Sequence, residues 1–402
     1  MPIEIEPITQ THVKHVQCNG DQPKKMNKLC RQLSIESPSV TGRECVFSFD
    51  VPVPDVPPQG ARIRVICAGA CYHPKRSSSL ISLASVSSAS SLATETSVEG
   101  DFPTSLPHYG VRDAALFPGY EVAGIVESLG SGVSEDCQFS VGDRVILYPF
   151  EGIPNGYVEY LVVDDLKYLI KVPDNISLSV AAMLPAGALL AMNTVFAAHE
   201  HVQQLVKERG NDGVCKILIV GTGGLALWTL RIAAYYFSDM QDKVTIAVAS
   251  LKDDGLLMAQ EFQRVNVVEW NEGLYEKQLI ERTMDACQGQ VDVVIDFGTT
   301  SRSLHRSMQC LSKGGVVFVI KEVADRLLPK FSKRAEERQQ SIKPVELGTL
   351  EQLQEIVQLV ASGKIEPPPH TVFPAEEATD VVHKLCHSEI HGRAILRFYP
   401  AD

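Results

Sequence analysis

The sequence has no long hydrophobic run and no excess of positive charge, and both absences exclude classes of protein. No apolar run reaches the roughly 18 residues that a membrane-spanning helix needs. The N-terminal residues are polar and acidic, without the apolar run of a signal peptide. With 37 Lys and Arg against 49 Asp and Glu, the net charge of −12 argues against a nucleic-acid binder. We therefore expect a globular, cytoplasmic protein of about two to three domains.

Closely spaced cysteine pairs are also missing. The chain has 10 cysteines scattered along its length, none in a C-x-x-C pair, and the closest two are Cys67 and Cys71. This spacing disfavours a disulfide scaffold. We expect most of these thiols to be small buried hydrophobic groups.

The first part of the chain has β-type patterns and one compositionally biased segment. Residues 1–26 are polar and predict an N-terminal extension. Ten serines lie within residues 77–97, which predicts a surface insertion over residues 74–117. Apolar runs, most of them bounded by glycine, predict the strands of a small β-rich domain, at residues 61–68, 119–126, 142–147 and 156–163.

The second part alternates between strand and helix patterns. Residues 181–206 predict a helix, and helices are also expected at residues 225–237 and 275–287. Four apolar runs predict buried strands, at Cys215–Val220, residues 244–248, Val291–Asp296 and residues 316–320. A capping box from Thr349 to Gln352 begins a further helix that ends near Gly363. The predicted fold class is α/β, a β-rich domain beside a doubly wound parallel sheet.

A glycine-rich turn follows the strand Cys215–Val220 and opens the next helix. It runs Gly221, Thr222, Gly223, Gly224, Leu225 and Ala226 and has the form G-x-G-x-x-A. Glycines allow the backbone to approach a pyrophosphate, and the helix N-terminus attracts its charge. We predict that Gly221 through Leu225 bind a dinucleotide, with a purely structural turn as the alternative.

The end of the next strand indicates which dinucleotide binds. NAD-binding proteins usually carry Asp or Glu there, to accept a hydrogen bond from the ribose 2′-hydroxyl. This chain has Ala249 or Ser250 at that position, with Lys252 close by. A hydroxyl and an ammonium group favour a 2′-phosphate, so Ser250 and Lys252 predict NADP(H) over NAD(H). Acidic residues at 253 and 254 keep NAD(H) as the alternative, with Lys252 then an ordinary solvated side chain.

The order of these parts resembles the medium-chain dehydrogenase/reductase superfamily. The resemblance is carried by GYEVAGIVESLGSGV…VGDRV from residue 119, by the glycine turn and by VDVVIDFGTT…LSKGGVVFVI from residue 291. It implies a GroES-like domain over residues 27–186, a Rossmann domain over 187–345 and a C-terminal return to the first domain over 346–402. It also implies hydride transfer in the cleft between domains, and a homodimer for which residues 316–320 would be the edge strand.

The resemblance allows the zinc ligands of the family to be checked. Zinc members use Cys, His and Cys, and these positions correspond to Cys71, Tyr120 and Ala186 here. A phenol and a methyl group do not hold Zn²⁺ as imidazole and thiolate do, so no zinc is expected. A rearranged site of Cys71, His73 and Glu121 is the alternative. No cysteine lies in residues 145–156, where the structural zinc lobe of the family would begin.

The predicted function is an NADP(H)-dependent, zinc-independent reductase of an activated C=C bond or a quinone. Hydride transfer then needs positioning and stabilisation of negative charge on oxygen. The candidate catalytic residues are Tyr120, His73 and Cys71. Tyr120 could equally fill the vacated ligand position, and Cys71 could be a buried relic. A second hypothesis is a dinucleotide-binding scaffold or redox sensor with impaired catalysis.

Overall fold

The computed structural model of the chain contains two main sheets and a small hairpin. It describes residues 28–35, 46–71, 119–150, 156–210, 213–221, 223–250, 262, 265–270, 274–298, 300–386, 389–390 and 392–399. The predicted N-terminal extension and Ser-rich insertion lie outside these residues. Within the described ranges, no helix is both long and apolar enough to cross a membrane.

The strands occur in three groups along the chain. They are β1 (Leu29–Ile35), β2 (Val46–Pro52), β3 (Ala61–Gly69), β4 (Val122–Leu129), β5 (Arg144–Leu147), β6 (Tyr160–Val163), β7 (Leu169–Lys171), β8 (Cys215–Val220), β9 (Val244–Ser250), β10 (Val265–Glu269), β11 (Val291–Asp296), β12 (Leu311–Ile320), β13 (Ser341–Val345), β14 (His370–Pro374) and β15 (Arg393–Arg397).

The α-helices lie mainly in the second half. They are α1 (Leu178–Ala182), α2 (Leu189–Arg209), α3 (Gly224–Tyr236), α4 (Glu276–Ala286), α5 (Ser301–Cys310), α6 (Lys321–Glu337), α7 (Leu350–Ala361) and α8 (Ala378–Cys386).

The first main sheet has the order β14-β15-β3-β4-β5-β7, and β6 also pairs with β3. Its central strands are antiparallel, and β3 alternates between more and less buried positions in its first half, as expected of a strand with one face on a core. β15 comes from late in the chain and pairs antiparallel with β3. The late segment therefore completes the β-rich domain. The hairpin of β1 and β2 adjoins it through a bridge between Gln32 and Val158.

The second main sheet is entirely parallel, in the order β10-β9-β8-β11-β12-β13. Every residue of β11 is buried, which is typical of a parallel sheet covered by helices on both faces. The predicted α/β class is confirmed. The carboxyl ends of these strands form one edge, where ligands of doubly wound sheets bind.

Two predicted details are wrong. Residues 316–320 are not an edge strand, because β12 lies between β11 and β13 and its outer side pairs with β13. The helix expected over residues 181–206 is interrupted by a π-helical turn at Leu184–Ala188. Pro185 lies in this turn and has no N–H to donate, so a regular helix would lose a backbone hydrogen bond there.

Candidate active site

The glycine turn lies between β8 and α3, as predicted. Gly221 has φ of +132°, a conformation that side-chain-bearing residues rarely adopt. Its N–H donates to the Ala249 carbonyl at 3.0 Å. Gly223 precedes α3 and no side chain caps the helix, so the first N–H groups of α3 are available to an anion. Leu225 follows in the first turn and is partly buried. Thr222 lies outside the described residues.

The end of β9 carries the residues that we expect to contact the 2′-position of the dinucleotide ribose. Ala249 and Ser250 are both buried, and Ser250 is the last residue of the strand. The backbone N–H of Trp270 donates to the Ser250 carbonyl at 2.6 Å, which ties this end to the residue after β10. Lys252 lies outside the described ranges.

Cys71 is fully buried and makes a hydrogen bond that sequence reasoning missed. Its Sγ lies 2.8 Å from the Tyr157 hydroxyl, which itself donates to the Gly69 carbonyl at 2.8 Å. Burial raises the pKa of the Cys71 thiol and, strongly, the pKa of the Tyr157 phenol. Both groups are therefore neutral at physiological pH. Tyr157 could not be singled out, because its run Gly-Tyr-Val-Glu-Tyr reads as an ordinary strand.

The other two family ligand positions lie on different elements. Tyr120 precedes β4, is partly buried and packs against the core of the β-rich domain. Ala186 is buried in the π-helical turn. Among the described residues, no three His, Cys, Asp or Glu side chains are placed to share a metal ion. His73 lies outside those residues, so the rearranged site stays a prediction.

A buried ion pair joins Glu121 to Arg393. Their side chains are 7% and 15% exposed, and Glu121 also accepts a hydrogen bond from the Gly187 N–H at 3.2 Å. Burial opposes the charge on Arg393, yet Glu121 keeps the pKa of the guanidinium above its usual value. A Cβ added at Gly69 would lie 2.0 Å from Glu121 Oε2, so this carboxylate depends on a glycine in β3. Arg393 was not among the residues predicted from sequence.

Arg393 also reaches the glycine turn. A Cβ added at Gly224 would lie 3.4 Å from Arg393 Cδ. The arginine starts β15 of the β-rich domain, whereas Gly224 starts α3 of the parallel-sheet domain. One arginine side chain therefore connects Glu121, next to the family ligand position Tyr120, with the N-terminal end of α3.

A second buried carboxylate, Asp296, ends β11 beside the turn. Its oxygens accept hydrogen bonds from the Gly298 N–H at 2.7 Å and from the Ser303 and Ser307 hydroxyls at 2.8 Å each. Burial raises the pKa of Asp296 to about 6 despite these donors. The next residue, Phe297, donates its N–H to the Val220 carbonyl at 3.1 Å, so the strand end is tied to the strand that leads into the glycine turn.

Two known families match the sequence. The alcohol dehydrogenase GroES-like domain matches residues 82–174, and the zinc-binding dehydrogenase family matches residues 274–396. A zinc-type alcohol dehydrogenase-like protein of Schizosaccharomyces pombe is 24% identical over 305 residues, which are 70% of this chain and 82% of that protein. The quinone oxidoreductase of Rattus norvegicus is 24% identical over 287 residues, 67% of this chain and 76% of that protein.

Solved structures agree on the fold. The quinone oxidoreductase from Coxiella burnetii has a TM-score of 0.63 at 18% identity, covering 92% of this chain and 100% of that chain. A thermostable alcohol dehydrogenase from Pyrobaculum aerophilum has a TM-score of 0.62 at 21% identity, with the same coverage. Two domains of this architecture, with a glycine turn at the crevice between them, define a dehydrogenase fold. The chain belongs to the medium-chain dehydrogenase/reductase superfamily of oxidoreductases.

Proposed function

We propose that the protein is an NADP(H)-dependent, zinc-independent reductase that transfers hydride to an activated C=C bond or a quinone. One observation carries the proposal. The only thiol at the three family ligand positions, Cys71, is fully buried and hydrogen-bonded to the Tyr157 hydroxyl at 2.8 Å. The other two positions offer a phenol and a methyl group, so this ligand set does not fit Zn²⁺. The similarity to quinone oxidoreductases supports a quinone as one class of hydride acceptor.

The residues of the glycine turn fit a dinucleotide. Gly223, Gly224 and Leu225 would hold the pyrophosphate through backbone N–H groups, Gly221 would let the backbone turn towards it, and Arg393 adds a cation beside the same turn. When bound, the reduced nicotinamide supplies the hydride. Thr222 completes the proposed turn. Ser250 and Lys252 are proposed to accommodate the 2′-phosphate, because neither would repel it.

The chain's own residues then orient the substrate and stabilise charge. Tyr120, at a family ligand position, and His73, two residues after Cys71, remain the proposed catalytic residues from the β-rich domain. For Cys71 we propose a structural role, because its complete burial and raised pKa make it a poor nucleophile.

Three measurements on one preparation test this function. We expect less than about 0.1 zinc per chain by mass spectrometry of metals, NADPH bound more tightly than NADH, and NADPH oxidation with members of a panel of enones and quinones. One zinc per chain would overturn the zinc-free assignment. Tight NADPH binding without turnover would favour the scaffold hypothesis.

A further inference from the structure

An ion pair lies at the carboxyl ends of β12 and β13. The last residues of these neighbouring strands, Ile320 and Val345, are opposite each other, so the residues that follow them, Lys321 and Glu346, share one edge of the sheet. The Lys321 ammonium pairs with the Glu346 carboxylate. The two side chains are 49% and 65% exposed, so solvent reaches both.

The strand order places this pair on the hydride side of the crevice. A dinucleotide held at the glycine turn after β8 has its adenosine ribose at the end of the neighbouring strand β9. Its nicotinamide half would then extend the other way, towards β11 and β12, which follow β8 in the strand order. Strands are spaced about 4.8 Å apart, so the end of β12 lies about 10 Å from the end of β8. Lys321 is the first residue beyond that end.

The segment that carries Glu346 is fixed where the two domains meet. The Asn193 side chain on α2 donates to the Glu346 carbonyl at 2.8 Å. The Tyr148 hydroxyl, directly after β5 of the β-rich domain, donates to the Gly348 carbonyl at 2.9 Å. A Cβ at Gly348 would lie 2.7 Å from Leu189 Cδ1, so the segment packs closely on α2. The ion pair therefore borders the cleft between the domains.

We propose that Lys321 is the proton donor of the reduction and that Glu346 positions its ammonium group and favours its reprotonation from water. This proposal rests on the proposed function. The β-carbon of an enone gains the hydride as a new C–H bond, the C=C pair becomes the double bond between the α-carbon and the carbonyl carbon, and the C=O π pair moves to the oxygen. The Lys321 N–H bond breaks as an O–H bond forms, the enol reverts to the ketone, and the amine takes a proton from water beside Glu346. With a quinone, the same proton completes the hydroquinone.

The charges around Lys321 keep its proton in place before reaction. Glu346 across the strand ends, and then Asp325 and Glu322 on α6, raise the pKa of Lys321. The ammonium is therefore fully protonated at neutral pH. An enol is an acid of about the same strength as an alkylammonium, so transfer to the enolate oxygen is close to balanced, and reversion of the enol to the more stable ketone makes the overall step favourable.

Substitution at Lys321 separates proton donation from charge and from structure. We expect Lys321→Met and Lys321→Arg each to lower kcat by about 100-fold, the usual contribution of a general acid. Arginine keeps the charge but does not release a proton in this pH range. The control is Lys171→Met, which removes a lysine of the same exposure that pairs with Asp143 at 2.7 Å, and it should leave kcat unchanged. Full activity of Lys321→Arg would overturn the proton-donor role.

Two further experiments test the proposal. The first needs no turnover, and the second depends only on how kcat changes with pH. NADPH should protect Lys321, but not Lys171, from acetylation measured by mass spectrometry. Glu346→Gln should move the alkaline limb of the kcat profile to lower pH, because the pKa of Lys321 falls without its carboxylate. Lack of protection or an unmoved limb would contradict the proposal while the reductase function stands. If the wild-type protein reduces nothing in the panel, the proposed function fails and this inference fails with it.

Discussion

At the scale of single residues, the pair of Glu121 and Arg393 holds the site together. Because both side chains are buried, the pair itself gives little net stability, but either partner alone is costly. The glycines were predictable from sequence, since a turn between strand and helix requires them. Arg393 was not, because no local pattern distinguishes an arginine that starts a strand from one on a surface.

Removing the carboxylate from this pair should destabilise the protein strongly. For Glu121→Gln we expect the free energy of unfolding to fall by about 3–5 kcal/mol, since Arg393 stays buried and unpaired. Urea denaturation measures it. The control is Glu127→Gln, since the Glu127 side chain is 35% exposed against 7% for Glu121, and this change should cost no more than about 1 kcal/mol. Equal losses of free energy of unfolding in the two variants would contradict a larger cost for breaking the buried pair.

Asp296 should make stability depend on pH in an unusual direction. Burial raises the pKa of Asp296 to about 6 from a usual value of 3.8, so the folded state binds a proton that the unfolded state has already released. The stability from this group is complete below pH 3.8 and is lost as pH rises through about 6. Asp296→Asn removes that loss. Between pH 4 and 7, the free energy of unfolding of the variant should therefore rise relative to that of the wild type by up to about 3 kcal/mol.

The matched control for this titration is Asp292, four residues earlier on the same strand. It is also buried, but Arg209 binds both its oxygens and lowers the pKa of Asp292. The stabilisation that ionised Asp292 provides is present above the unfolded pKa and is lost as pH falls. The free energy of unfolding of Asp292→Asn should therefore fall further below that of the wild type as pH rises. Urea unfolding at several pH values measures both trends, and trends of the same sign would contradict the assignment.

At the scale of elements, fully buried strands were the easiest to predict. β8 and β11 have their predicted bounds, because mostly apolar runs between glycines leave little choice. Helix α6 and strand β13 were missed. In α6 the buried residues Val323, Leu327 and Phe331 recur every four positions, but Pro329 inside this period disfavours a helix, and β13 contains Pro344, which disfavours a strand. Packing against β12 stabilises these elements where local preference does not.

The capping box of α7 is confirmed and gives a prediction at this scale. The Thr349 hydroxyl accepts the Gln352 N–H at 3.2 Å, and the Gln352 side chain accepts the Thr349 N–H at 2.8 Å. Thr349→Ala should lower the free energy of unfolding by about 1 kcal/mol, measured in urea. Thr349→Ser keeps the acceptor and should cost much less. A loss as large in the serine variant would contradict a capping role.

At the scale of the whole molecule, the outer edge of the parallel sheet is poorly suited to a partner strand. Its edge strand β13 has five residues and exposes Lys343 and Pro344. Proline lacks a backbone donor, and short edge strands with Lys and Pro resist pairing with another chain. The interface expected through residues 316–320 is therefore replaced by an edge that opposes strand addition.

This edge predicts that the protein does not self-associate by extending the sheet. Pro344→Thr restores a donor and should raise the dimer fraction in sedimentation velocity at micromolar concentration. The same change at Pro58, an exposed turn residue outside both sheets, should not. A wild-type dimer whose subunits crosslink through residues 341–343 would contradict the prediction.

The pairing of β15 with β3 has a consequence for biosynthesis. Arg393 reaches its place only as part of β15, after the whole parallel sheet has been made, whereas its partner Glu121 lies near the start. Because nascent chains fold from the N-terminal side as they leave the ribosome, the β-rich domain must wait with an open strand position and an unpaired carboxylate. A nascent chain stalled before residue 393 would carry a finished glycine turn without its arginine. Formation of the Glu121–Arg393 pair is therefore among the last events in maturation of this protein.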